Sequence, residues 1–190
     1  MKNQIIQNFE DHQATIELVK LQCLEQIQQV AGLMTECLKS GGKILFCGNG
    51  GSAADSQHLA AELIGRFKQD RPALPAIALS TDSSILTCVG NDYSFDEIFS
   101  RQVSALINSK DLLIGISTSG NSKNIINAVE QAKLRQATTI GLLGNEGGAL
   151  SQVCDYSIII PSTDTARIQE SHILIGHIVC EILETEIFAQ

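Results

Sequence analysis

At 190 residues, with 44% hydrophobic and 18% charged residues, the chain suits one domain with a substantial core and leaves little room for two. Its net charge of −8 excludes a general nucleic-acid binder, which needs a basic surface to neutralise phosphates, but not a small anion held by local dipoles. No run of about 18 apolar residues offers a membrane span, and the polar start from Met1 to Asp11 lacks a signal-peptide apolar stretch. The six cysteines are scattered and form no Cys-x-x-Cys pair, which points to reduced thiols and the cytoplasm rather than a disulfide framework or a cysteine zinc site.

In chain order, residues 2–39 read as mostly helical, because Ile5, Phe9, Ile16, Val19, Leu24, Ile27, Val30, Leu33 and Met34 recur at spacings of three and four. Gly41-Gly42 ends that run. A buried strand is predicted at Lys43–Cys47 and a helix near 53–67. A second strand at Ala76–Leu79 precedes helices near 83–89 and 95–108. A third, Leu112–Ser117, leads to a helix near 122–135, and a fourth, Thr139–Leu143, to a short one near 147–152. The fifth, Tyr156–Ile160, precedes a last helix at about 165–187. Short continuous apolar runs suit strands buried on both faces. Their alternation with helices predicts an α/β fold: a doubly wound parallel sheet between two helical layers, joined by right-handed crossovers. In such folds ligands bind beyond the carboxyl ends of the strands, where strand order reverses. No repeat, low-complexity tract or linker interrupts the pattern. The expectation is therefore one domain over 1–190, with 1–39 packing on it or on a neighbouring subunit.

Two strand-end loops are rich in small polar residues. Cys47-Gly48-Asn49-Gly50-Gly51-Ser52 lets the backbone turn sharply toward a ligand, and Ser52 can cap the helix that follows. Ser117-Thr118-Ser119-Gly120-Asn121-Ser122 offers four hydroxyls and a run of N–H groups at a helix start, a cradle suited to phosphate. Neither completes a mononucleotide or dinucleotide fingerprint. Lys123 is read as a solvated helix-start lysine.

His58 and Glu62, at i and i+4, share one face of the helix leaving the first loop. On the last helix Gln169 and His177 are separated by about 80° in projection, and His172 lies about 60° on the other side of Gln169. Two imidazoles, a carboxylate and an amide oxygen would make a metal site, although Gln is a rare zinc ligand. Spacing alone does not choose between His172 and His177. Carboxylate and imidazole also suit the proton transfers of an aldose–ketose isomerisation, which a metal assists by polarising the carbonyl.

Together with Gly65-Arg66, Arg71-Pro72, Val89-Gly90-Asn91-Asp92 and Arg167-Ile168-Gln169-Glu170-Ser171-His172, these motifs give a chain that resembles the bacterial phosphoheptose isomerases of the sugar-isomerase (SIS) domain family, in motif order and over nearly its whole length. The resemblance implies a five-stranded parallel sheet and a homotetramer with active sites at subunit interfaces. It implies one Zn2+ per site on His58, Glu62, Gln169 and His177, with Glu62 and His177 as the acid–base pair. Substrate contacts would come from Asn49, Gly50, Gly51, Ser52, Glu62, Asn91, Asp92, Ser117, Thr118, Ser119, Ser122 and Gln169. The implied reaction converts sedoheptulose 7-phosphate to D-glycero-D-manno-heptose 7-phosphate for lipopolysaccharide or related surface glycans. Some members carry an acid just before Arg-Ile-Gln, where this chain has Ala166, with Asp164 two residues earlier.

The alternative is a non-catalytic SIS-domain paralogue that binds the bacterial replication initiator protein. Such members lack the acid at the position of Glu62 and carry a bulky residue where Gly120 stands; this chain keeps both. A sugar-phosphate sensor fused to a DNA-binding domain would need a helix-turn-helix segment for which the length leaves no room.

Overall fold

Continuous runs of Ile, Leu and Val have no polar face to offer water, so they form the middle layer. The computed structural model, which describes residues 1–188, has one parallel sheet of β1 (Ile44–Gly48), β2 (Ala76–Ala78), β3 (Leu112–Ser117), β4 (Thr138–Leu143) and β5 (Tyr156–Ile159). Spatial order is β2-β1-β3-β4-β5, with Leu45 opposite both Ile77 and Leu113. Every residue of β1 and β3 is buried.

Successive side chains alternate between two cores, as the pleat requires. Ile44, Phe46, Ile114 and Ile116 pack with α2 (Leu24–Lys39), α3 (Gly51–Ile64) and α8 (Thr165–Phe188). Leu45, Cys47 and Leu113 face the other way, onto α4 (Ser83–Asp92), α5 (Ser100–Leu106), α6 (Lys123–Leu134) and α7 (Leu150–Val153). The result is the expected three-layer αβα arrangement. The first helix, α1 (Lys2–Gln22), lies along α8 and α2 and leaves Ile5, Phe9, Leu18 and Leu21 exposed. Among the described residues, no helix is long and apolar enough to cross a membrane.

The largest departures from the sequence reading are at three boundaries, while α4 runs on to Asp92 and the stretch near 147–152 is a 3₁₀ turn at Asn145–Gly147 followed by α7. The helical stretch 2–39 breaks at Cys23, which is buried with its thiol donating to the Ile159 carbonyl at 3.5 Å, so that α2 follows the sheet while α1 departs from it. The helix expected near 53–67 stops at Ile64, and that near 95–108 is a 3₁₀ turn at Phe95–Glu97 followed by α5. Residues 189–190 of the expected domain lie outside the described residues.

Candidate active site

From β1 the chain first goes outward to β2, then returns across β1 to β3, so strand order reverses between β1 and β3. The two polar loops leave the carboxyl ends of these two strands and flank the crevice where α/β proteins bind ligands. They are tied together by a reciprocal amide pair, Asn49 with Asn124, each Nδ2 donating to the other's Oδ1 at 2.9 Å. Asn49 is thus engaged in positioning the first loop against α6.

In the first loop the helix cap is Gly50, at φ +56°, and not Ser52. Ser52 sits inside the first turn, buried, with its N–H donating to the Asn49 carbonyl. That corrects the expected capping role. No side chain caps α3 and no acid lies in its first turn, so its positive end faces the crevice uncompensated. The side chain of Gln169 lies directly against Gly51, where a Cβ would overlap its amide.

The second loop is organised from within. Ser117 Oγ lies 3.0 Å from Ser122 Oγ and accepts the Gly120 N–H at 3.2 Å, while Ser119 Oγ accepts the Asn121 N–H at 3.1 Å. The Thr118 carbonyl accepts from the Asn145 amide, leaving the Thr118 hydroxyl free of protein partners among the described residues. Gly120 has φ +66°, and a Cβ there would overlap the Gly147 carbonyl. Gly120→Ala is therefore expected to cost about 1–3 kcal/mol of stability and to distort the cradle, read as a lowered denaturant midpoint together with a raised KM. An unchanged midpoint would show that the loop yields freely. Lys123 is exposed and pairs with Asp96 at 3.2 Å, as a solvated helix-start lysine should.

The ionisable groups meet where α3 and α8 run side by side. Leu59 packs into a notch at Gly176, where an added Cβ would stand 2.5 Å from Leu59 Cδ2. That close approach sets His58 and His177, the next residues on each helix surface, against one another. His58 Nε2 lies 2.9 Å from Glu62 Oε1 and 3.2 Å from His177 Nε2. One ligand atom from each of the three residues falls within 4.8 Å of the others. Phe67 stacks on the outer face of His177, with ring centres 5.5 Å apart and planes 22° from parallel.

The structure also separates the two histidine candidates on α8. His172 is buried, with Nε2 3.1 Å from the Leu143 carbonyl; burial is the main cause of a pKa lowered to about 4, so it stands as a neutral core residue. His177 is in the cluster. Gln169 lies two turns earlier on α8, about 12 Å along the axis from His177, and its amide makes no hydrogen bond to the three clustered side chains. Asn91 and Asp92 end α4, exposed, bonded to one another at 2.9 Å and to no other expected site residue. The amide of Asn91, then the thiol of Cys88, hold the Asp92 carboxyl below its usual range.

Sequence reasoning passed over Phe67, and over Arg71 and Glu184 as a pair. The signal for Glu184 was present: a lone acid seven residues after His177, on a face otherwise made of Val179, Cys180 and Leu183.

A SIS (sugar-isomerase) domain model matches residues 7–144, which places this doubly wound sheet, with its hydroxyl-lined loop at the switch point, in the class of sugar-isomerase domains. The chain is 53% identical over 187 residues to a phosphoheptose isomerase of Aliarcobacter butzleri, covering 98% of this chain and 99% of that one. It is 56% identical over 169 residues to one of Clostridium acetobutylicum, covering 89% and 86%. Among solved structures, a phosphoheptose isomerase from Neisseria gonorrhoeae superposes with TM-score 0.92 at 44% identity, covering 97% of this chain and 98% of that one. Another from Francisella tularensis gives 0.94 at 41%, covering 96% and 97%. The chain belongs to the phosphoheptose isomerases of the SIS-domain family, and it is an isomerase rather than the non-catalytic regulator.

Proposed function

We propose that this chain interconverts sedoheptulose 7-phosphate and D-glycero-D-manno-heptose 7-phosphate in the cytoplasm, supplying heptose for lipopolysaccharide or a related surface glycan. The observation that carries the reading is the convergence of His58, Glu62 and His177 from two different helices, beside loops suited to a sugar phosphate.

The phosphate is assigned to Ser117, Thr118, Ser119 and Ser122, whose hydroxyls and helix-start N–H groups suit a dianion. The sugar chain then runs past Gly50, Gly51 and Ser52 toward α8, with Asn49, Gln169, Asn91 and Asp92 assigned to its hydroxyls. Isomerisation removes a proton from carbon 1 of the ketose and returns one to carbon 2, while a proton leaves the oxygen on carbon 1 and one is gained by the oxygen on carbon 2. Glu62 and His177 are the groups placed to carry these protons. The two carboxylate oxygens of Glu62 can divide the work, since Oε1 faces His58 and Oε2 accepts no hydrogen bond from the described residues.

The donor set fits zinc. Ligand atoms of a tetrahedral zinc with bonds near 2.0–2.1 Å stand about 3.3 Å apart, close to the 2.9 and 3.2 Å separations here. His58, Glu62 and His177 would hold one Zn2+, with Gln169 assigned as the fourth ligand. Zinc would polarise the carbonyl and stabilise negative charge on the enediolate oxygen.

One SIS domain spans the chain in this reading. The exposed Ile5, Phe9, Leu18 and Leu21 of α1, with Leu24 at the start of α2, support self-association, to a tetramer with sites at subunit interfaces. Stripping the protein with a chelator should abolish turnover and added Zn2+ should restore it. Full activity in protein shown by metal analysis to be metal-free would remove zinc from the mechanism.

A further inference from the structure

The segment between α3 and β2 carries no regular structure, yet it is anchored by one buried ion pair. Arg71 and Glu184 are each 2% exposed in their side chains, with Arg71 Nε donating to Glu184 Oε1 at 3.1 Å. The remaining valences on both sides go to backbone. Glu184 Oε1 accepts the Phe67 N–H at 2.8 Å, and Oε2 accepts those of Lys68 and Gln69 at 2.9 and 3.0 Å. Arg71 donates through Nη1 to the carbonyl of Leu63 at 2.7 Å and through Nη2 to that of Glu62 at 2.8 Å. These are carbonyls of the last turn of α3, which the helix itself cannot satisfy.

The pair therefore joins the residues of the metal cluster. Arg71 holds the backbone of Glu62, and Glu184 stands two turns beyond His177 on the same side of α8. The three N–H groups that Glu184 gathers fix the turn that carries Phe67, whose ring stacks on His177. We infer that Arg71 and Glu184 are positioning residues, setting the separation of Glu62 and His177 and orienting the His177 imidazole through Phe67. The inference rests on the metal reading above. Partners of this kind fix the orientation of metal-bound side chains without touching the metal.

The test uses metal binding rather than turnover. Wild-type protein, Glu184→Gln and Phe67→Ala are stripped of metal and titrated with Zn2+ against a chromophoric chelator, and the visible spectrum of each is recorded with Co2+. Glutamine keeps the shape of Glu184 but turns one acceptor into a donor facing backbone N–H groups. Phe67 is half-buried at the edge of the core, so its truncation removes some packing but leaves no buried polar group without a partner. Both variants should bind Zn2+ about 10- to 100-fold more weakly than wild type, with altered Co2+ bands, and Phe67→Ala should do so while still unfolding in one cooperative transition. Wild-type affinity and spectrum in Phe67→Ala would overturn the proposal, even if Glu184→Gln proved too unstable to titrate. Wild-type protein that binds no zinc would remove the metal reading itself, and this inference with it.

Discussion

Glu62→Gln should lower kcat by about 10²- to 10⁴-fold while leaving the fold in place. The side chain is part-exposed at the end of a crevice, so the amide causes no burial penalty. What changes is chemistry. An amide cannot take up a proton at neutral pH, and if its nitrogen turns toward His58 it presents a donor where Oε1 now accepts. Turnover measured with zinc supplied, alongside circular dichroism to check the fold, reads the effect. Near-normal kcat would take Glu62 out of the proton transfer.

Glu184→Ala should have the largest effect on stability. Removing the carboxylate leaves a guanidinium and three backbone N–H groups without their partner in a site that excludes water. Breaking a buried pair from one side costs about 3–5 kcal/mol, a large share of the roughly 5–15 kcal/mol that holds a domain folded. The loss is read from denaturant unfolding, and a change within about 0.5 kcal/mol, the range of harmless surface substitutions, would contradict the reading. The pair also implies a pH dependence. Burial pushes the Glu184 carboxyl up, but the N–H groups of Lys68, Phe67 and Gln69, with Arg71, outweigh it and leave its pKa below the ordinary 4.5. A group with a lowered native pKa binds fewer protons folded than unfolded. Its stabilisation is present above about pH 4.5 and disappears as pH falls through the native value. Wild-type stability should therefore drop faster than that of Glu184→Ala on acidification below about pH 4.5.

The layers of the fold were legible because parallel strands buried on both faces read as short apolar runs, and Ile44–Gly48 and Leu112–Ser117 are such runs set between helical patterns. Local pattern failed where a distant contact decided the outcome. Nothing near Cys23 resembles a helix stop; the break follows from its burial against the last strand, 136 residues away. Phe67 extends the apolar rhythm of α3, so the predicted helix overran Gly65, whereas the structure ends it there and holds the turn from Glu184. His58 and Glu62 were visible as an i, i+4 pair. The choice of His177 over His172 was not, because helical spacing gives angles but not which face is buried against Leu143. Glu184 stands out as a lone acid on an apolar face, but nothing in spacing joins it to Arg71, 113 residues away.

Proton transfer between carbons 1 and 2 of a seven-carbon sugar phosphate is the chemistry assigned to Glu62 and His177, and it can be watched directly. Purified protein is incubated with sedoheptulose 7-phosphate and Zn2+ in D2O, and the mixture is followed by NMR. The aldose signals of D-glycero-D-manno-heptose 7-phosphate should appear, and they should be suppressed in Glu62→Gln. No aldose product from zinc-loaded wild-type protein would contradict the assignment.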